Sequence, residues 1–152
     1  MAFDPNRWTI KTQEAFNAAL ESARAASNPE VTPDHLLIAL LGQPDGVVTP
    51  LLAKVGLDPR VVRSAAEERV GALPHAYGGG DPGLSRALRD TVERADKSRI
   101  DLHDEYVSTE HLLLALAELL HTSNEELLQA LQTVRGSHRV TSQNPEESYQ
   151  AL

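Results

Sequence analysis

His35 and His111 are the residues best suited to chemistry in this chain. Imidazole binds metal ions and carries protons near neutral pH, and the two histidines stand 76 positions apart (111 − 35) in matching surroundings. Equivalent places in two pseudo-symmetric copies can face each other across a shared site. Each histidine also sits at an expected helix start beside an acid, Asp34 or Glu110, where capping and packing account for it. Structural use is the reading adopted. His75, His103, His121 and His138 have no ligand spacing, and neither H-E-x-x-H nor G-x-S-x-G occurs. The chain has no cysteine, which removes thiolate nucleophiles and Cys-type zinc sites. Gly78-Gly79-Gly80 lacks the Gly-Lys-Ser/Thr that a phosphate loop requires. An enzyme reading has no motif behind it, and no cofactor or metal is expected.

A second group of candidates is acidic. Asp101, Asp104 and Glu105 lie just ahead of Tyr106-Val107-Ser108-Thr109-Glu110, so this loop ends at a helix N-terminus. Negative charge is favoured there by about 0.3–1 kcal/mol at exposed positions. Capping accounts for Glu110, whereas Asp104 lies outside the first turn. Carboxylates left over beside an apolar seam would receive the backbone N–H groups or basic side chains of a bound peptide.

The framework that must position these residues is a duplication. Val31-Thr32-Pro33-Asp34-His35-Leu36-Leu37-Ile38-Ala39-Leu40-Leu41 returns as Val107-Ser108-Thr109-Glu110-His111-Leu112-Leu113-Leu114-Ala115-Leu116-Ala117, with six identities, three conservative changes and no gap. In the first copy, Phe16, Ala19, Leu20, Ala23 and Ala26 mark one face of a helix over residues 9–26. Thr32-Pro33 starts a helix without a polar face, Thr49-Pro50 caps a short one ended by Gly56, and Asp58-Pro59 caps a longer one carrying Val61, Val62, Ala65, Ala66 and Val70. In the second copy, Leu84, Ala87, Leu88, Thr91, Val92 and Ala95 form the face of the first helix. A buried-type helix over residues 109–120 follows, and a last one from Glu125 to about Arg135 buries Leu127, Leu128, Leu131 and Val134. From His35 to the Asp58 cap is 23 positions (58 − 35), but from His111 to the Ser123 cap only 12 (123 − 111), so the second copy lacks a third helix.

The expected architecture is therefore all-α: two tandem, pseudo-twofold-related four-helix modules, the second without its third helix. Residues 9–74 form module one, 75–83 a Gly/Pro linker and 84–136 module two, together one domain over residues 1–136. Residues 137–152 read as an extended tail or linker toward an absent ATPase domain, and Tyr149-Gln150-Ala151-Leu152 as the possible start of another helix. Modules of this size are marginal alone and should pack as one body. With 22 acidic against 14 basic residues and a net charge of −8, nucleic acid and anionic membrane are poor partners. The start has no apolar signal region, and no run approaches the roughly 18 apolar residues of a membrane span, so a cytoplasmic protein is expected.

Doubled His-Leu-Leu-x-Ala-Leu units, each behind a Val-Ser/Thr-x-acid turn, resemble the N-terminal domains of the Clp/Hsp100 family over essentially the whole chain. The tail from Arg135-Gly136-Ser137 through Tyr149-Gln150-Ala151-Leu152 points to the ClpB-type disaggregases among them. The resemblance implies a domain tethered to a hexameric AAA+ ring of its own polypeptide that contacts unfolded or aggregated protein. It also implies that Thr9, Asp104 and Glu110 handle substrate beside an apolar groove, for which Leu84 and Leu88 are the candidate walls. An adaptor- or degron-docking domain of the ClpC or ClpA type is the alternative.

Overall fold

The computed structural model describes residues 3–136 and 138–143. The expected helix start at Tyr149–Leu152 lies outside them. A short 3-10 helix, Pro5–Arg7, precedes seven α-helices: α1 (Ile10–Ala25), α2 (Pro33–Leu41), α3 (Val48–Lys54), α4 (Pro59–Gly71), α5 (Arg86–Asp101), α6 (Thr109–Ala115) and α7 (Asn124–Arg135). Two two-residue strands, β1 (Glu30–Val31) and β2 (Gly83–Leu84), pair in parallel with Val31 opposite Leu84. The architecture is the two-module helical one the repeat implies.

The repeat does more than supply similar helices. Thr9 caps α1 and Ser85 caps α5, and the chain just ahead of each cap crosses to the other module. Leu84 pairs with Val31, while Trp8 pairs with Val107, again in parallel. Both pairs obey the same period (84 − 8 = 107 − 31 = 76). The amide of Thr9 donates to the Val107 carbonyl and that of Ser85 to the Val31 carbonyl, each at 3.0 Å. Each long helix is thus tied at its start to the turn that feeds the partner module's central helix. The two halves interlock instead of merely touching.

α2 and α6 sit at the centre, α1 packing on α2 and α5 on α6. All seven residues of α6 are buried, and Leu36, Leu37, Leu112 and Leu113 are among the largest apolar side chains fully enclosed. This is what a helix apolar on every side requires. α1 buries Thr12, Ala15, Ala19 and Ala23, with Phe16 half-buried and stacked on Trp8 at 4.6 Å. Val61, expected on the inner face of α4, is 65 % exposed, and Ala87 of α5 is exposed as well. The buried stripes run through Ala66 and through Leu88, Thr91, Val92 and Ala95 instead.

Two expected boundaries move. The helix expected over 109–120 ends at Ala115, and residues 116–121 follow as turns. The carbonyls that a longer helix would use are taken from outside: Asn124 Nδ2 donates to Leu114 O at 3.2 Å and Arg94 Nη2 to Ala115 O at 3.1 Å. Thr49-Pro50 caps nothing, because α3 begins at Val48 and places Pro50 inside the first turn, where a missing N–H is harmless. Its expected end is correct: Gly56 adopts φ +82°, its N–H meets Ala53 O, and the Leu57 N–H meets Leu52 O. α3 has no counterpart in module two, yet Leu116 and Leu120 are buried, since α3 itself packs against both α6 and α7. One third helix serves both modules.

Candidate functional site

The two histidines open their helices as capping residues. His35 Nδ1 accepts the Thr32 N–H at 2.9 Å, and His111 Nδ1 accepts the Ser108 N–H at 2.8 Å. A ring nitrogen that accepts leaves the other to carry the hydrogen, so both imidazoles are neutral Nε2–H tautomers. His35 Nε2 donates to Asn28 Oδ1 at 3.0 Å and His111 Nε2 to Asp104 Oδ2 at 2.7 Å. Burial holds both histidines below their ordinary pKa, an effect that Asp104 opposes only in part at His111. The structural use expected of them is what the contacts show.

Asp104 sits where the loop after α5 meets the end of α7. Its Oδ2 receives His111, and its Oδ1 receives both Arg135 Nη2 and the Val140 N–H, the latter at 2.9 Å. Burial alone would raise the pKa of this carboxyl, but the bonds from His111, Val140 and Arg135 outweigh it and hold the group below the usual carboxylate range. Glu110, in the first turn of α6, accepts from Ser108 Oγ and lies 3.5 Å from Arg135 Nη1. Two acids therefore share one buried arginine, itself only 3 % exposed.

Thr9 joins this group through the backbone. Besides its amide bond to Val107, its Oγ1 caps the Thr12 N–H at 3.2 Å, and Thr12 Oγ1 donates to Val107 O at 3.0 Å. Thr9, Asp104 and Glu110 thus flank one seam between the start of α1 and the loop leading into α6. All three are buried, at 0 %, 4 % and 1 % exposure.

Leu84 and Leu88 belong elsewhere. Leu84 is half-buried in the β1–β2 pair, the pseudo-symmetric counterpart of the Trp8–Val107 crossing, and Leu88 is fully buried core. The largest open hollow near them, about 520 Å³, is lined by Ala87, Thr91, Arg94 and Leu119 instead. Beside the acid seam lies a smaller hollow of about 340 Å³, lined by Leu102, Leu128, Leu131, Arg135 and Arg139.

The seam is covered by residues 138–143. Val140 has 0 % exposure, while His138, Arg139, Thr141 and Ser142 are exposed. Glu105 N–H donates to Val140 O at 2.7 Å, Ile10 N–H to Gln143 O at 2.8 Å, and Arg135 Nε to His138 O at 2.9 Å. Arg135 and Val140 carry this arrangement, and sequence reasoning did not single them out as site residues. A basic residue in a last helical turn is ordinary, as Arg135 is in α7, and a lone valine in a polar tail has no periodicity to report it. One signal was available: the period of 76 sets Asp104 opposite Asn28 (104 − 28), a charge with no counterpart in the first copy.

The Clp repeat (R) N-terminal domain model matches residues 7–141. The chaperone protein ClpB of Mycobacterium tuberculosis is 44 % identical over 162 aligned positions, covering 99 % of this chain and 19 % of the relative. The ClpB of Corynebacterium diphtheriae is 42 % identical over 156 positions, covering 95 % and 18 %. The chain spans about a fifth of the length of these curated relatives. Among solved structures, the Hsp104 N-terminal domain of Candida albicans superposes with a TM-score of 0.79 at 20 % identity, covering 91 % of this chain and 98 % of that one. A complex of the ClpV N-domain with a VipB peptide superposes with a TM-score of 0.62 at 20 % identity, covering 88 % and 81 %. At these identities the two structures share the fold. On the family model and on the ClpB relatives, the chain belongs to the Clp repeat N-terminal domain family.

Proposed function

We propose that this domain is the substrate-capturing, non-catalytic N-terminal module of a ClpB-type disaggregase, which holds extended segments of unfolded or aggregated polypeptide for threading by the AAA+ ring of its own homohexamer in the cytoplasm. The observation that carries this reading is the meeting of Thr9, Asp104 and Glu110 along one seam, with residues 138–143 of the same chain lying on it. Backbone amides and a carboxylate that already hold a main chain are suited to any client main chain, whatever its sequence. The ClpV N-domain solved with a peptide shows that this fold accommodates one in a distant relative. Capture of this kind is weak, since a disordered client gives up chain entropy on binding. Weak capture permits transfer.

That same peptide complex favours one alternative, a domain that docks a specific partner or adaptor segment. Titrating the domain with a permanently unfolded model protein and with folded proteins, followed by amide shift perturbation, separates the two. Saturable binding of the unfolded protein with shifts at Thr9, Asp104 and Glu110 is expected. Saturable binding of a folded partner alone would replace capture with docking.

A further inference from the structure

We infer that residues 138–143 are an internal occupant of the seam, standing where an extended client segment binds, and that capture proceeds by exchange of one for the other. The inference rests on the capture reading above and adds what the client segment must look like and what it has to displace.

The contacts of this strap are those of a bound peptide. Asp104 Oδ1 receives the Val140 N–H, Glu105 N–H donates to the Val140 carbonyl, and Ile10 N–H donates to the carbonyl three residues on, at Gln143. The first N–H groups of α1 have no partner inside the helix, so the carbonyl of any residue can satisfy the one at Ile10. Only Val140 is enclosed; its neighbours Arg139 and Thr141 face solvent. The seam therefore reads a main-chain pattern, one aliphatic side chain and the Gln143 amide, whose Nε2 donates to Trp8 O at 3.1 Å.

Comparison of the two modules shows why an acid stands here. In module one the chain returning from α4 meets Asn28, whose Nδ2 donates to the Pro74 carbonyl at 3.1 Å. In module two the corresponding Asp104 faces an N–H instead. A carboxylate accepts and cannot donate, so it selects a residue that carries an amide hydrogen and rejects proline. The strap is also poised to leave. It departs α7 through Gly136 at φ 57°, ψ −124°, a conformation that side-chain-bearing residues avoid, and one buried valine does little to offset the ordering of six residues. The client segment is accordingly aliphatic and non-proline at the Val140 position, with a free carbonyl and a side-chain donor three residues later.

The test uses Val140→Asp, which unseats the anchor, and Gly136→Ala, which strains the departure from α7, each in the 152-residue chain. The probe is a labelled peptide His-Arg-Val-Thr-Ser-Gln, with a second peptide carrying proline in place of its valine. Both variants should bind the first peptide about tenfold more tightly than the unaltered chain, because the competing occupant is displaced; the proline peptide should not bind. In the unaltered chain saturated with an unfolded model protein, the Val140 N–H should lose protection from hydrogen exchange while the Ile10 and Glu105 N–H groups keep theirs. Equal peptide binding by all three chains overturns the inference. So does a Val140 N–H that stays protected in a chain saturated with client, an outcome that leaves capture itself standing. Absence of client binding to any of the three chains ends the capture reading, and the exchange with it.

Discussion

Asn28 and Asp104 occupy the same place in the two copies and perform the same task, each accepting the Nε2 hydrogen of its module's capping histidine, at 3.0 and 2.7 Å. What differs is the charge. Neutral Asn28 needs only the Pro74 carbonyl as a further partner, whereas ionised Asp104 is held by Arg135 and a backbone N–H. The charged seam belongs to one module and not the other, and this single pair marks the difference.

Exchanging the two chemistries should damage both modules. Asp104→Asn keeps an acceptor for His111 but takes one of its two acids from a buried arginine, leaving Glu110, and urea unfolding should show a loss of about 3 kcal/mol. Asn28→Asp sets a carboxylate against the Pro74 carbonyl and should cost about 1–3 kcal/mol or more. A loss below about 0.5 kcal/mol at either site would show that these contacts do not hold in solution.

Thr9 and Ser85 separate capping from client contact. Both cap long helices by accepting an N–H three residues on, from Thr12 at 3.2 Å and from Leu88 at 3.0 Å. Alanine at either position should lower stability by about 1 kcal/mol. On the capture reading, Thr9→Ala also weakens binding of an unfolded client and Ser85→Ala does not. Equal effects on binding would reduce Thr9 to a cap.

Stability should fall with acid below about pH 6.5. Burial keeps His35 and His111 neutral to a lower pH than in the unfolded chain, so between the two pKa values the unfolded state binds the extra protons. Their contribution is complete above the unfolded value and is lost as pH falls through the folded one. Asp104, held below the ordinary carboxylate range, adds the same sign at still lower pH. A chain with His35→Gln and His111→Gln keeps an acceptor in each capping box. Its urea midpoint should change less between about pH 8 and about pH 5 than that of the unaltered chain.

Among the described residues, four that bear side chains adopt positive φ, and they too obey the period: Ser27 with His103, and Asp45 with His121. These are the turns that end the first and second helices of each module. Left-handed backbone costs about 1–2 kcal/mol for such residues, part of which glycine would return as unfolded-state entropy. Ser27→Gly and His103→Gly should each raise the melting temperature or leave it unchanged, by up to about 1 kcal/mol of stability. A decrease at either would mean that the side chain has a contact outweighing the strain.

The duplication, the helical class, the caps at Thr32, Asp58 and Ser123 and the missing third helix are local in sequence, since caps and amphipathic faces arise from neighbours three or four residues apart. The shortened end of α6 has a cause outside the helix: Arg94 and Asn124 reach in to claim the carbonyls that would have continued it. The same holds for the seam. Thr12 meets Val107 across 95 residues, Arg135 meets Asp104 across 31, and Val140 meets Asp104 across 36. No periodicity encodes contacts at such separations. The sequence by itself determined two copies of one helical plan, and its family resemblance pointed to Thr9, Asp104 and Glu110. Only the tertiary structure decided that these three are buried together, that Leu88 is core, and that residues 138–143 of the same chain lie over them, because those outcomes depend on which surfaces the packed helices leave free.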